Sequence, residues 1–117
     1  MDVVRLHCGS ILNHNYGPQK NLVPIEFEGE LIAEAKEFLG NSDDRFQEWQ
    51  LYKDTSGCYW LYNSYVSRWQ GEECEFELES VTWQEFQPGG DRAKLGRKFD
   101  LWEKALSPEE YIEQKEQ

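Results

Sequence analysis

One stretch limits the folds open to this chain more than any other, and it runs from Arg45 to Glu79. It reads Arg45-Phe-Gln-Glu-Trp-Gln-Leu-Tyr-Lys53, then Asp54-Thr-Ser-Gly57, then Cys58-Tyr-Trp-Leu-Tyr-Asn-Ser-Tyr-Val66, and it closes with Trp69-Gln-Gly-Glu-Glu-Cys-Glu-Phe-Glu-Leu-Glu79. Aromatic and β-branched runs broken by an Asp/Gly turn specify antiparallel strands. Pairing outward from a turn at Asp54 to Gly57 sets Lys53 opposite Cys58, Leu51 opposite Trp60 and Trp49 opposite Tyr62. Because successive side chains alternate across a strand, those last four share one face, and Tyr52, Tyr59 and Leu61 take the other with Gln50, Glu48 and Asn63. A third strand alternates more cleanly: Cys74, Phe76 and Leu78 point one way and Glu75, Glu77 and Glu79 the other.

Charge narrows the partners. Twelve basic against twenty-three acidic residues leave a formal charge of -11. A polyanion is bound by neutralising its phosphates with Lys and Arg, and no basic run is present to do so, so direct nucleic-acid binding is not expected. The same reasoning excludes an anionic membrane surface, and no stretch approaches the roughly 20 apolar residues of a spanning helix. The low mean hydropathy of -0.83 coexists with five Trp, six Tyr and six Phe, which reads as a compact core under a charged surface rather than as disorder. A chain of 117 residues reads as one domain, 1–117. Met1 to Cys8 lacks the basic and apolar blocks of a signal peptide, and three unevenly spaced cysteines make no disulfide framework, so a cytoplasmic protein with reduced thiols is expected.

Along the rest of the chain the signals vary in clarity. Val3 to His7 suits an edge strand that Cys8-Gly-Ser10 ends, and Ile11 to Asn21 reads as a loop. Val23, Ile25 and Phe27 alternate with Pro24, Glu26 and Glu28 as a half-buried strand. Residues 29–39 leave two readings open. Leu31, Ile32, Ala35, Phe38 and Leu39 fit one face of a helix that Gly40 would stop, while Gly29 equally suits a bulge in a long strand leaving the sheet after Ala35. Ser80 opens a turn that Pro88-Gly89-Gly90 terminates. Leu95, Phe99, Trp102 and Leu106 then recur at helical spacing from Asp91 to Ala105, with Gly96 as the one discordant residue, and Ser107-Pro-Glu-Glu110 is a capping box that starts a last helix.

Phe27-Glu-Gly-Glu-Leu-Ile-Ala-Glu34, Leu51-Tyr-Lys-Asp-Thr-Ser-Gly-Cys-Tyr59 and Trp69-Gln-Gly-Glu72, taken in that order, resemble a family of small uncharacterised bacterial proteins. In that family a Gly-x-Leu-Ile-Ala-Glu stretch precedes an arginine-aromatic strand, a Leu-Tyr-basic-Thr strand end and a Gly-Tyr return strand. The resemblance spans roughly residues 25 to 75. It implies the strand reading of Ile25 to Ala35 and carries no activity or site. This chain departs from the pattern by placing Asp54 before Thr55 and by its acidic third strand.

No catalytic constellation is legible. Among so many acids some carboxylate pair always fits acid/base work, and there is neither a Ser/His/Asp set nor a phosphate cradle between strand and helix. His7, Cys8 and His14 match no metal-ligand spacing, so neither metal nor cofactor is expected. The distribution of acids says more. Glu72, Glu73, Glu75, Glu77 and Glu79 follow one another along one strand and its approach, and Asp43 and Asp44 form a second group. Alternate strand residues lie roughly 6.6 to 6.8 Å apart, close to the phosphate repeat along one nucleic-acid strand. The competing reading is solubility, since solvated and edge strands are commonly charged. Trp69, Tyr65 and the face carrying Tyr52, Tyr59 and Leu61 suggest a rival site for a small ligand or peptide.

The expected fold is therefore α+β: an antiparallel sheet of four to six strands with one amphipathic C-terminal helix packed on it and a short terminal helix. The expected function is a non-enzymatic acidic binding module. Its partner-binding residues are Glu72, Glu73, Glu75, Glu77, Glu79, Asp43, Asp44 and Trp69, and its partner is a basic protein surface of the kind that binds nucleic acid. Small bacterial or phage antagonists of host-defence nucleases are the natural setting for that physics.

Overall fold

The computed structural model describes residues 2–12, 22–40, 44–69 and 72–102. Five strands, β1 (Asp2–Leu12), β2 (Leu22–Phe38), β3 (Arg45–Asp54), β4 (Tyr59–Ser67) and β5 (Glu73–Val81), precede a 3-10 turn at Trp83–Phe86 and one helix, α1 (Ala93–Lys98). By internal contacts the chain groups into two compact units, Met1–Trp83 and Gln84–Gln117.

The strands follow one another around a closed barrel, β1-β2-β3-β4-β5, and every pairing is antiparallel, including that of β1 with β5. An odd number of straight strands cannot close this way, because alternating directions would leave the first and last parallel. Strands that bend along their length, and change partner as they do, resolve the parity. Leu22 to Gly29 of β2 pairs with β1, and Gly29 to Phe38 pairs with β3. The handover falls at a glycine for a steric reason: a Cβ on Gly29 would lie 2.6 Å from the carbonyl oxygen of Lys53 and 3.1 Å from Asp54 Cα. A register shift between Leu31 and Ala33 then adds the bulge that bends the strand. β1 changes partner at Gly9, whose φ of 135° suits only glycine, and Gly9 to Leu12 pairs with β5. β1 is thus longer than the edge strand expected from Val3 to His7, and it has a neighbour on each side. Residues 29–38 are strand, which removes the helical reading.

The β3–β4 hairpin turns at Asp54, as the sequence indicates, but its register differs by one residue. Lys53 pairs with Tyr59, Tyr52 with Trp60, Leu51 with Leu61 and Trp49 with Asn63. Gly57 causes the difference. Its N–H donates to the Asp54 carbonyl at 3.0 Å to close the turn, and its φ of 86° leaves Cys58 as one extra residue before β4 begins, an arrangement common in hairpins with a left-handed glycine. A one-residue slip moves every side chain to the opposite face. Tyr52 therefore joins Trp60, Gln50 and Tyr62 on one face while Tyr59 and Leu61 lie on the other, so the aromatic face expected from Tyr52, Tyr59 and Leu61 together does not exist. The Tyr52 face is the inner one. Tyr62 reaches across from β4 to donate to the His7 carbonyl on β1, stacks on Phe76, and shares this side with Tyr52, whose ring meets Phe27 edge-on.

Asp54 organises the turn. Its carboxylate accepts the Ser56 and Cys58 N–H groups and the Trp60 indole N–H, each at 2.9 Å. These bonds, the Trp60 bond first, hold its carboxyl below the ordinary value of 3.8. Glu72 is likewise held below 4.5, chiefly by Arg45. A depressed folded pKa contributes stability that is complete above the unfolded value and is lost as pH falls through the folded one. The midpoint of urea unfolding is therefore expected to drop on acidification below about pH 4.5, with a shallower slope in D54N. An equal slope in D54N would remove Asp54 from the cause.

The C-terminal helix is much shorter than the span from Asp91 to Ala105. α1 ends at Lys98 because Asp100 adopts φ 59°. The Leu101 N–H then bonds to the Gly96 carbonyl at 2.9 Å and the Asp100 N–H to the Arg97 carbonyl at 3.0 Å, a Schellman stop that asparagine or glycine usually supplies. Residues 103–117, with the expected last helix at Ser107, lie outside the described residues. Among the described residues the sheet is as expected, with five antiparallel strands, and the helix is shorter than expected.

Candidate functional site

Registers place the acids of β5 in an ordered array. Rows run across β5, β4, β3 and β2 as Glu75–Tyr65–Gln47–Glu37, Glu77–Asn63–Trp49–Ala35, Glu79–Leu61–Leu51–Ala33 and Val81–Tyr59–Lys53–Glu30, all on the outer face. Glu73 precedes them on the same side by alternation, and spacing along β5 is roughly 6.6 to 6.8 Å between alternate residues. Glu73, Glu75 and Glu77 are exposed, while Glu79 is half-buried beside the fully buried Leu61. Among the described residues no Lys or Arg forms an ion pair with Glu73, Glu75 or Glu77. The opposite face of β5 buries Cys74 and stacks Phe76 on Tyr62, so packing beneath fixes the display above.

Glu75 and Glu77 also rim a small recess of about 70 Å³ with Gln47, Asn63 and Tyr65. The Gln47 amide donates to Asn63 Oδ1 at 3.0 Å, giving the recess a polar floor. Edge protection accounts for only part of this charge. β5 pairs with β1 from Glu73 to Phe76 and with β4 from Glu75 to Val81. Glu75 therefore has strands on both sides, whereas Glu73 and Cys74 pair with β1 alone and Glu77 to Val81 with β4 alone.

Of the other expected partner-binding residues, Glu72 and Asp44 stand apart from the row. Glu72, just before β5, is bound to Arg45: Nε donates to its two oxygens at 2.9 and 3.1 Å, and the Arg45 Nη2 contact completes a forked pair. The Ser67 and Tyr65 hydroxyls help hold the same carboxylate. Glu72 is thus a structural anion and not part of the displayed row. Trp69 lies under the same guanidinium, 3.8 Å from ring centroid to Arg45 Cζ, yet keeps 48% of its surface exposed. Its position at the end of the acidic row is fixed by that stacking and by the Trp69 N–H bond to Ser67 Oγ at 3.2 Å. Asp44 lies beside Arg45 and its carbonyl accepts the Arg68 N–H at 2.7 Å, so it belongs to the strand start. Asp43 lies outside the described residues.

His7 and Cys8 are consecutive on β1 and so face opposite sides, and His14 lies outside the described residues. Cys58 precedes β4 and Cys74 packs at its far end against Ser67. Among the described residues no helix is long and apolar enough to cross a membrane, and no group of His, Cys, Asp and Glu is arranged to hold a metal.

A second concave feature was not legible beforehand. A recess of about 330 Å³ is lined by Glu34, Ala35, Lys36 and Glu48, which come together because Lys36 pairs with Glu48 and Glu34 with Gln50 across β2 and β3. Only the strand reading of residues 29–38, with its bulge, brings them together. The chain matches no protein-family model, no curated protein and no solved structure.

Proposed function

We propose that the protein is a non-enzymatic, acidic binding module that occupies a basic, nucleic-acid-binding surface on another protein. The observation that carries this reading is the exposed line Glu73, Glu75, Glu77 on one face of β5, without ion pairs among the described residues. Its regular spacing presents negative charge as a nucleic-acid strand does, and a net charge of -11 steers basic partners toward it while repelling nucleic acid itself. A barrel closed beneath the line holds its strand in place, so little ordering cost is incurred on binding. Inhibition of a nuclease or similar basic protein, in the manner of host-defence antagonists of bacterial or phage origin, follows if the occupied surface is the one that holds nucleic acid. A cytoplasmic setting, where Cys8, Cys58 and Cys74 stay reduced, belongs to the same reading.

The test is retention of basic nucleic-acid-binding proteins on the immobilised protein, followed by direct titration of each retained partner. Affinity is expected to fall about tenfold or more between 50 and 200 mM salt, and to fall comparably in the triple variant E73Q/E75Q/E77Q. Competing nucleic acid should release the partner. Salt-independent binding, or an unchanged triple variant, would sink the proposal.

A further inference from the structure

The recess between β2 and β3 has an unusual internal charge arrangement. Lys36 sits directly across from Glu48, where an ion pair is the ordinary outcome. Its ammonium instead lies 4.0 Å from the centroid of the Phe46 ring and 5.0 Å from that of Phe38, rings that meet edge-on with centroids 5.9 Å apart. No ion pair joins Lys36 to Glu34 or Glu48 among the described residues. The lysine thus runs along its strand toward the hairpin end, away from Glu34, and leaves two carboxylates in a diagonal cross-strand relation about 7 to 8 Å apart at the backbone.

By register Glu34, opposite Gln50, and Glu48 lie on the same sheet face as Tyr52, and burial, then the charges of Glu34 and Glu48, push the Tyr52 phenol up. That hydroxyl donates to Gln50 Oε1 at 2.8 Å, which fixes the Gln50 side chain beside Glu34. Like charges held this way repel, and a cation between them relieves the repulsion.

We infer that the recess lined by Glu34, Lys36 and Glu48 is a binding site for a single ammonium or guanidinium group, carried by a small amine or by a Lys or Arg side chain. Its volume of about 330 Å³ lies at the lower end of small-ligand sites. Lys36 makes this selective for a monocation: with its charge in the lining, the two carboxylates leave a balance of one negative charge. It also occupies the aromatic seat on Phe46 that an incoming cation would prefer, so it competes with the ligand.

The inference is independent of the acidic row on β5, and the experiment separates the two. Titration by calorimetry with n-butylammonium, and separately with an end-blocked Gly-Lys-Gly peptide, is expected to give saturable one-to-one binding of at least one probe. Binding of the amine alone or of both assigns a free small ligand, and binding of the peptide alone assigns a protein side chain. E34Q/E48Q should weaken binding about tenfold or more, whereas E73Q/E75Q/E77Q should leave it unchanged. K36M should tighten it about threefold by vacating the Phe46 ring. Equal affinity in E34Q/E48Q, loss of binding in E73Q/E75Q/E77Q, or weaker binding in K36M would each overturn the site, the last because it would make Lys36 a ligand-holding group. Absence of saturable binding for both probes would overturn it outright.

Discussion

Truncating Leu51 to alanine is expected to cost about 2 to 5 kcal/mol of unfolding free energy and to lower the thermal midpoint by roughly 10 °C or more. Leu51 and Leu61 are each 0% exposed and face one another across β3 and β4. Removing three carbons from such a site loses their transfer free energy and leaves a void that close-packed neighbours fill only in part. L61A should behave alike. The double variant should cost less than the sum, with a coupling of about 0.5 kcal/mol or more, because the two side chains share one site. Pairing Leu51→Ala with Trp60→Ala gives the contrasting cycle. In the observed register Trp60 lies on the other face, opposite Tyr52, so that cycle should be near additive. Strong coupling of Leu51 with Trp60 and none with Leu61 would restore the register in which Lys53 faces Cys58.

That cycle marks where reading the sequence stops being sufficient. The hairpin was visible because Asp54-Thr-Ser-Gly57 interrupts two aromatic runs, and the third strand because Glu75, Glu77 and Glu79 alternate with Phe76 and Leu78. Register between β3 and β4 was not, since both of their faces bury side chains: Leu51 and Leu61 on one, Tyr52 and Ser64 on the other. When both faces are buried, alternation no longer distinguishes one register from the next, and the choice passes to the left-handed Gly57. Residues 29–38 were ambiguous for a related reason. One bulge between Leu31 and Ala33 shifts the period of the apolar residues enough to imitate a helical face.

The acidic row was legible because a period of two needs no tertiary information. What pairs with it did need such information. Glu72 looked like one more displayed carboxylate until Arg45, 27 residues earlier, was found to hold it. The same limit hid the β2–β3 recess, because Glu34 and Glu48 are neighbours only through a register that depends on the bulge. Local chemistry was readable where it depended on alternation or turn residues, and unreadable where it depended on a long-range partner.

Gly96 gives the sharpest test in the C-terminal unit, because two considerations predict opposite signs. By helix propensity alone, G96A should stabilise α1 by about 1 kcal/mol, since an interior glycine costs that much against alanine. Sterics oppose this. A Cβ at Gly96 would stand 1.8 Å from the carbonyl oxygen of Phe86, 2.6 Å from its carbonyl carbon and 2.8 Å from its Cβ. Two of these three atoms are backbone, so no side-chain rotation can relieve the overlap, and the helix must move off the turn that precedes it. Moving it separates the Phe86 and Phe99 rings, whose centroids lie 6.0 Å apart and which are respectively 0% and 8% exposed. The expected result is a loss of about 3 kcal/mol or more, at or beyond the upper end of ordinary overpacking. It should be read as faster proteolysis at Lys94 and Arg97 and as collapse of the amide resonances of residues 84–102 toward unfolded positions. A93G, at the first residue of the same helix, should cost no more than about 1 kcal/mol and leave those resonances dispersed. A stable, well-dispersed G96A would mean that α1 does not lie against Phe86, and that Gly96 is only a weak helical residue.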